Sequence, residues 1–244
     1  MFQWKYKWQM KIVEHKANER GQADFGWFKA KYSFSFGQWH DPNRMGFGAL
    51  RVFNDSIIQP GKGFPEHPHD NMEVISIQLQ GKLNHTDISG TRVIQAGDVQ
   101  VITAGSGVTH SDLNIGTDEA KQFQIWIYPN QKDVEPQSNI AHFEKKDREN
   151  KWQVIASPYG DTSSSLNLLQ EAWISRGLFE KDNNQKYSIN KQGNGVYLFV
   201  ITGSISVAGK TINTRDAVGI TDVNEFEFSV VEDSDVLLIE VPIL

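Results

Sequence analysis

Cysteine is missing altogether from the 244 residues of this chain. Its absence excludes a disulfide frame, a thiolate nucleophile and a zinc–thiolate site, so any bound metal must be held by nitrogen and oxygen ligands. Long apolar runs are missing too: no stretch approaches the roughly 18 residues a membrane helix needs. The opening segment, Met1 to His15, intersperses Trp4, Lys5, Lys7, Trp8 and Lys11 without an apolar core. That is not the pattern of a secretory signal, and the expected location is the cytoplasm. Basic charge is in deficit, with 24 Lys and Arg against 30 Asp and Glu for a net charge of -6. Such a balance argues against direct binding of a nucleic-acid backbone. Proline is sparse at 8 residues and 39% of the chain is hydrophobic, which excludes collagen-like, low-complexity and disordered classes.

What is present is a series of short β-type runs separated by Gly, Pro, Asn and Asp. In the first half they are Leu50–Phe53, Val74–Leu79, Arg92–Ile94, Val99–Ile102 and Gln122–Tyr128. Spacing of this kind predicts an antiparallel sandwich or barrel. The polar stretch 131–150 reads as a connector, with a short helical turn at Ile140–Phe143. Beyond it, Trp152–Ala156, Ser165–Gln170, Tyr197–Thr202, Ser204–Val207, Phe226–Val231 and Val236–Val241 predict further strands, while Leu168–Trp173 is too short to assign. The halves also resemble each other. Val74–Gly81 lies on Val196–Gly203, and Ala96-Gly97-Asp98-Val99 lies on Thr214-Arg215-Asp216-Ala217. The expected architecture is therefore all-β, with two related barrels in tandem: residues 1–130, a connector 131–150, and residues 151–244.

Only seven histidines occur, and three fall into a pattern. His67 and His69, separated by Pro68, point to one face of an extended strand. Chance alone would supply about 0.2 such pairs in a chain of this composition, so the pair is only suggestive by itself. A second pair of the same spacing, His110 and Asp112, follows Gly105-Ser106-Gly107. Two strands presenting these pairs inward would bring three imidazoles and one carboxylate to a common point. Unpaired, four inward polar groups would be costly. As ligands they suit one divalent Fe, Mn, Ni, Cu, Co or Zn ion with positions left open for water or substrate.

These residues carry a specific resemblance. The segments Arg20–Trp27, Phe34–Phe36, Met45–Val52, Gly63–His69, Met72-Glu73, Ala96–Gln100 and Thr103–Ser111 resemble the pirin family of bicupins, which includes bacterial quercetin 2,3-dioxygenases. The likeness is strong over residues 20–130 and faint beyond. It implies two tandem cupin barrels (double-stranded β-helix or jelly-roll) and one transition metal per chain, iron first among the candidates. It also implies metal ligands at His67, His69, His110 and Asp112. At the last position the family carries glutamate, one methylene longer, so Glu73, four residues beyond His69, is the natural substitute. Asp70 is a second departure, standing where family members commonly carry arginine.

The activity so implied is oxidative ring opening of a flavonol such as quercetin by O2, with loss of carbon monoxide and with Asp112 or Glu73 as general base. Two other readings stay open. One is a non-catalytic metal-binding regulatory protein with a protein partner; the other is a cupin isomerase or hydrolase on another substrate. The chain is expected to be a monomer without nucleic-acid or membrane partners. The second half has no equivalent site, since the corresponding positions fall on Ile189, Lys191 and near Phe228, and it is expected to be structural. His40 and His85 read as loop or surface residues, and His15 and His142 have no supporting neighbours. Gly105–Gly107 lacks the lysine and helix of a phosphate loop. Lys145–Arg148 reads as a solvated face. Phe47 and Phe64 are candidates for lining a pocket for a flat ligand.

Overall fold

Strand Ala120–Ile127 shows how the sequence builds this molecule. Phe123, Ile125 and Ile127 alternate with Gln122, Gln124 and Trp126, so opposite faces of one strand carry different chemistry. The apolar face joins the main core with Phe53, Ile75, Val99 and Val101, and the other face lines a cavity. The computed structural model describes residues 10–244, so the expectation for the start of the chain falls mostly outside the described residues.

Three sheets make up the fold. A seven-stranded sheet runs in the order Gln137–His142, Asp98–Thr103, Glu73–Gln80, Ala120–Ile127, Leu50–Ile58, Phe28–Tyr32, Gly21–Asp24. A four-stranded sheet, ordered Gly63–His69, Val108–Asn114, Lys82–Asp87, Gly90–Gln95, completes the first barrel with it. The rest of the described chain forms a nine-stranded sheet dominated by Asn194–Val207 and Glu225–Pro242. Strand Lys11–His15 also belongs to this third sheet, pairing with Ala217–Thr221, so the N-terminal segment crosses to the second barrel. Among the described residues the only helical pieces are the 3-10 turns Ala17–Glu19 and Lys145–Arg148, and no helix is long and apolar enough to cross a membrane.

The internal repeat is visible in backbone geometry. Gly81 and Gly203 both adopt positive φ, 78° and 85°, and so do the matched Gly97 and Arg215, 95° and 68°. In each copy the next aspartate caps the same turn. Asp98 Oδ2 accepts from the Gln95 amide at 2.9 Å, and Asp216 Oδ2 from the Asn213 amide at 3.3 Å. The interiors differ. In the second barrel Phe228, near the position that matches His110, belongs to an apolar core with Leu198, Val200 and Phe179, and Ile189, at the position that matches His67, packs against it.

Several expectations are corrected. Ile140–Phe143 is not a helical turn; strand Gln137–His142 pairs with Asp98–Thr103 and so belongs to the first barrel. Tyr197–Thr202 and Ser204–Val207 are one strand, as are Phe226–Val231 and Val236–Val241. Gly203 bends its strand rather than reversing it, and a Cβ there would lie 2.2 Å from the Asp233 carbonyl oxygen. Ser165–Gln170 pairs only at Asn167–Leu168. Arg148 is buried rather than solvated. Phe47 packs on Tyr197 in the core between the barrels and lines no pocket with Phe64.

The barrels are joined through apolar faces, with Phe53 and Phe199 edge to face at 4.6 Å. The buried Arg20 guanidinium lies over both rings at 5.7 and 5.2 Å. Asp55 meets Arg20 at 3.7 Å and Arg215 of the second barrel at 3.2 Å. The second barrel thus covers the outer face of the first barrel's large sheet and contributes nothing to the cavity lining.

Candidate metal centre

Strand Gly63–His69 lies at the edge of the four-stranded sheet, where the missing amides of Pro65 and Pro68 cost little. It pairs with Val108–Asn114 so that His67 stands opposite His110 and His69 opposite Val108. The register slips between His110 and Asp112, which faces Phe64. Gly63 makes the close approach possible, since a Cβ there would sit 1.9 Å from the Asp112 carbonyl oxygen.

The pairing brings His67, His69 and His110 together, with one ring nitrogen of each within 4.8 Å of the others. Ring centroids are 4.2 Å apart for His67 and His110, 4.9 Å for His69 and His110, and 5.1 Å for His67 and His69. His67 Nδ1 lies 2.9 Å from the Pro65 carbonyl oxygen and donates to it, which leaves the Nε2 lone pair for the centre. His69 Nε2 and both nitrogens of His110 are buried without a hydrogen-bond partner among the described residues. An unpartnered buried polar atom costs about 1–3 kcal/mol, and a shared divalent cation would satisfy these atoms together. Burial, reinforced by the neighbouring His110 and His67, holds the His69 imidazole down at about 4. At neutral pH it is uncharged, which is the form that ligates metals. The residues present therefore fit an ion.

Neither expected carboxylate joins this group of three; Asp112 instead comes together with His85 and His110, one ligand atom of each lying within 4.8 Å of the others. Asp112 Oδ1 accepts from His85 Nδ1 at 2.8 Å, while Oδ2 lies 3.3 Å from His110 Nδ1 without the alignment of a hydrogen bond. Burial alone would raise this carboxyl; His110 and His85 outweigh it and hold Asp112 well below the usual range. His85 is not a surface residue. It is 1% exposed and bonds a second carboxylate, Asp87 Oδ2, at 2.9 Å, while Arg92 holds Asp87 from the far side. Both ring nitrogens face carboxylates, and the two outweigh burial to raise the His85 pKa. The signal for this residue was the same two-residue strand spacing, repeated at His85 and Asp87. His40 is an exposed loop residue as expected. His15 and His142 do have partners, in Tyr197 Oη at 3.2 Å and Asp98 at 2.6 Å.

The structure places Glu73 outside the group formed by His67, His69 and His110. The strand that carries His69 ends there, Asn71 turns the chain at φ 46°, and a new strand begins at Glu73 in the other sheet. Glu73 Oε2 accepts from Thr103 Oγ1 at 3.1 Å and from the Leu169 amide of the second barrel at 3.2 Å. Burial there, opposed by the Leu169 and Thr103 hydrogen bonds, pushes its carboxyl up to about 7.

A cavity of about 460 Å³ opens beside the imidazoles, within the usual range for small-molecule sites. Phe28, Phe36, Phe64 and Trp126 supply its aromatic wall. Asn54, Ser56, Gln122 and Gln124 supply polar groups, and Asp70 is the carboxylate in the lining. Asn54 Oδ1 and Trp126 Nε1 are buried and unpartnered among the described residues, one an acceptor and the other a donor.

Residues 13–127 match the Pirin family model, and residues 154–241 match the model described as quercetinase C-terminal cupin domain. A pirin-like protein of Caulobacter vibrioides is 38% identical, over 94% of this chain and 99% of its own length. A quercetin 2,3-dioxygenase of Escherichia coli K12 is 34% identical, over 95% and 99%. Among solved structures, the bacterial pirin YhhW of Escherichia coli in complex with nickel(II) superposes with a TM-score of 0.90 at 33% identity, covering 96% of this chain and all of that one.

Proposed function

Because the chain belongs to the pirin family, we propose that it is a metal-dependent dioxygenase whose substrate is a flat hydroxylated aromatic of the flavonol type. The observation that carries this reading is the set of three converging imidazoles with buried unpartnered nitrogens, two of which, His67 and His69, line an aromatic cavity. His67, His69 and His110 would hold one divalent ion. When bound, the ion would supply Lewis acidity toward a substrate hydroxyl and a meeting point for substrate and O2. Imidazole donors suit Fe, Ni, Cu and Zn alike.

The chain's own residues account for the rest. Phe28, Phe64 and Trp126 present apolar surface to a planar ring. Asn54, Ser56, Gln122 and Gln124 supply hydrogen-bonding side chains in the lining for the hydroxyl and carbonyl oxygens of such a ring. Asp70 places negative charge in the cavity lining, which disfavours acidic substrates. Neither Glu73 nor Asp112 is among the residues that line the cavity, which speaks against either as the base that meets the substrate proton.

Oxygen uptake by metal-loaded protein over a panel of flavonols tests the reading. Consumption of O2 with a flavonol, and none with a ring lacking the hydroxyl next to the carbonyl, is expected. Fully loaded protein that consumes no O2 with any flavonol would hand the site to a regulatory or isomerase role.

A further inference from the structure

The resemblance implies a carboxylate ligand at position 112, where this chain has aspartate in place of the longer glutamate. We propose that Asp112 is a positioning residue here, paired with His85 behind the His110 ring, and that the ion is held by three imidazoles alone. The inference rests on the metal-site reading above and concerns only which side chains touch the ion.

Three observations carry it. First, Asp112 Oδ1 is bonded to His85 Nδ1 at 2.8 Å, and Oδ2 lies beside His110 Nδ1 at 3.3 Å without a hydrogen bond. Asp112 therefore stands at the Nδ1 side of His110, and the nitrogen left for an ion shared with His67 and His69 is Nε2. A carboxylate behind a ligating histidine fixes ring orientation and raises ligand basicity.

Second, the pair is anchored. His85 Nε2 bonds Asp87 Oδ2 at 2.9 Å. Asp87 Oδ2 also takes an Arg92 N–H at 2.9 Å, and Arg92 donates to Ser138 Oγ at 2.6 Å. This chain of bonds crosses from the four-stranded sheet to Gln137–His142 of the seven-stranded sheet, and Asp112, His85 and Asp87 are almost wholly buried along it. Swinging Asp112 toward the imidazoles would break the His85 bond and leave a buried ring nitrogen without its acceptor. Third, the unpartnered nitrogens at the centre belong to His69 and His110, whereas Asp112 Oδ1 already has its partner in His85.

Three neutral ligands leave the double charge of the ion uncompensated among its protein ligands. Such a centre favours an anionic oxygen from substrate more strongly than one that already contains a carboxylate.

The test uses full-length protein loaded with Co(II), whose visible spectrum reports coordination number and geometry. Affinity by chelator competition and the spectrum are measured for wild type, Asp112→Asn, His85→Gln, the double variant and His110→Ala, with circular dichroism to check folding. The expected result is that Asp112→Asn and His85→Gln each retain about one Co(II) per chain with wild-type band positions. Each should lose about 10–100-fold in affinity, and the double variant should lose no more than the worse single one. Loss of Co(II) in Asp112→Asn as complete as in His110→Ala, with His85→Gln unaffected, would overturn the proposal. So would a change of coordination number confined to Asp112→Asn. Should Asp112→Asn fail to fold, His85→Gln decides: an affinity equal to wild type overturns the pair. Co(II) retained by His110→Ala would instead defeat the metal-site reading itself.

Discussion

Glu73 and Asp112 were both carboxylates of the expected site, and their surroundings give them opposite characters. Asp112 is held ionised by two histidines, whereas Glu73, fully buried against Thr103 and the Leu169 amide, has its pKa raised from 4.5 to about 7. A carboxyl whose pKa is raised on folding contributes stability that is complete below the unfolded value and is lost as pH rises through the folded one. The shift corresponds to a loss on the order of 3 kcal/mol between pH 4.5 and somewhat above 7. Guanidinium unfolding of wild type and Glu73→Gln at about pH 5 and about pH 8 should show the wild type losing stability relative to the variant by that order. Parallel pH profiles would contradict it. The histidines were legible because strand spacing of two needs no tertiary knowledge. The destination of Asp112 was not, because it depends on His85, a residue distant in sequence that only strand pairing brings alongside.

At the scale of the element, the edge strand Gly63–His69 decides whether the centre exists. Its prolines make it a poor partner on one side, and the whole of its pairing falls on Val108–Asn114. Gly63→Ala would place a methyl group 1.9 Å from the Asp112 carbonyl oxygen. The strand must then move away, and metal affinity should fall although no ligand has changed; equal affinity in wild type and Gly63→Ala, by chelator competition, would show that this pairing does not set the geometry. Most strands of the first half were readable from β-branched and aromatic runs. The edge strand was not readable in full, since Pro65-Glu66-His67-Pro68-His69 has little strand propensity and is held by register. The misplacement of Glu73 has the same root. A strand continued through Asn71 would have put it on the His69 face, and a left-handed residue there ends that continuity.

Across the whole molecule, one barrel pattern was used twice and equipped once. Both copies keep the positive-φ positions and the capping aspartate, which serve the backbone, and among the described residues only the first brings three imidazoles together. The second fills its interior with Phe228, Leu198 and their neighbours and presents its other face to the first barrel's sheet. The division of labour was legible from the absence of any histidine after His142. The closeness of the join was not, because the strands that make it read as ordinary apolar runs whose second face is silent in sequence.

The central claim is that His67, His69 and His110 form one metal centre in a chain without thiolates. Metal analysis of purified full-length protein, wild type beside a His67→Ala and His110→Ala double variant that folds by circular dichroism, tests it most directly. The account predicts close to one divalent transition metal per wild-type chain and almost none in the variant; a variant that keeps its metal would contradict it.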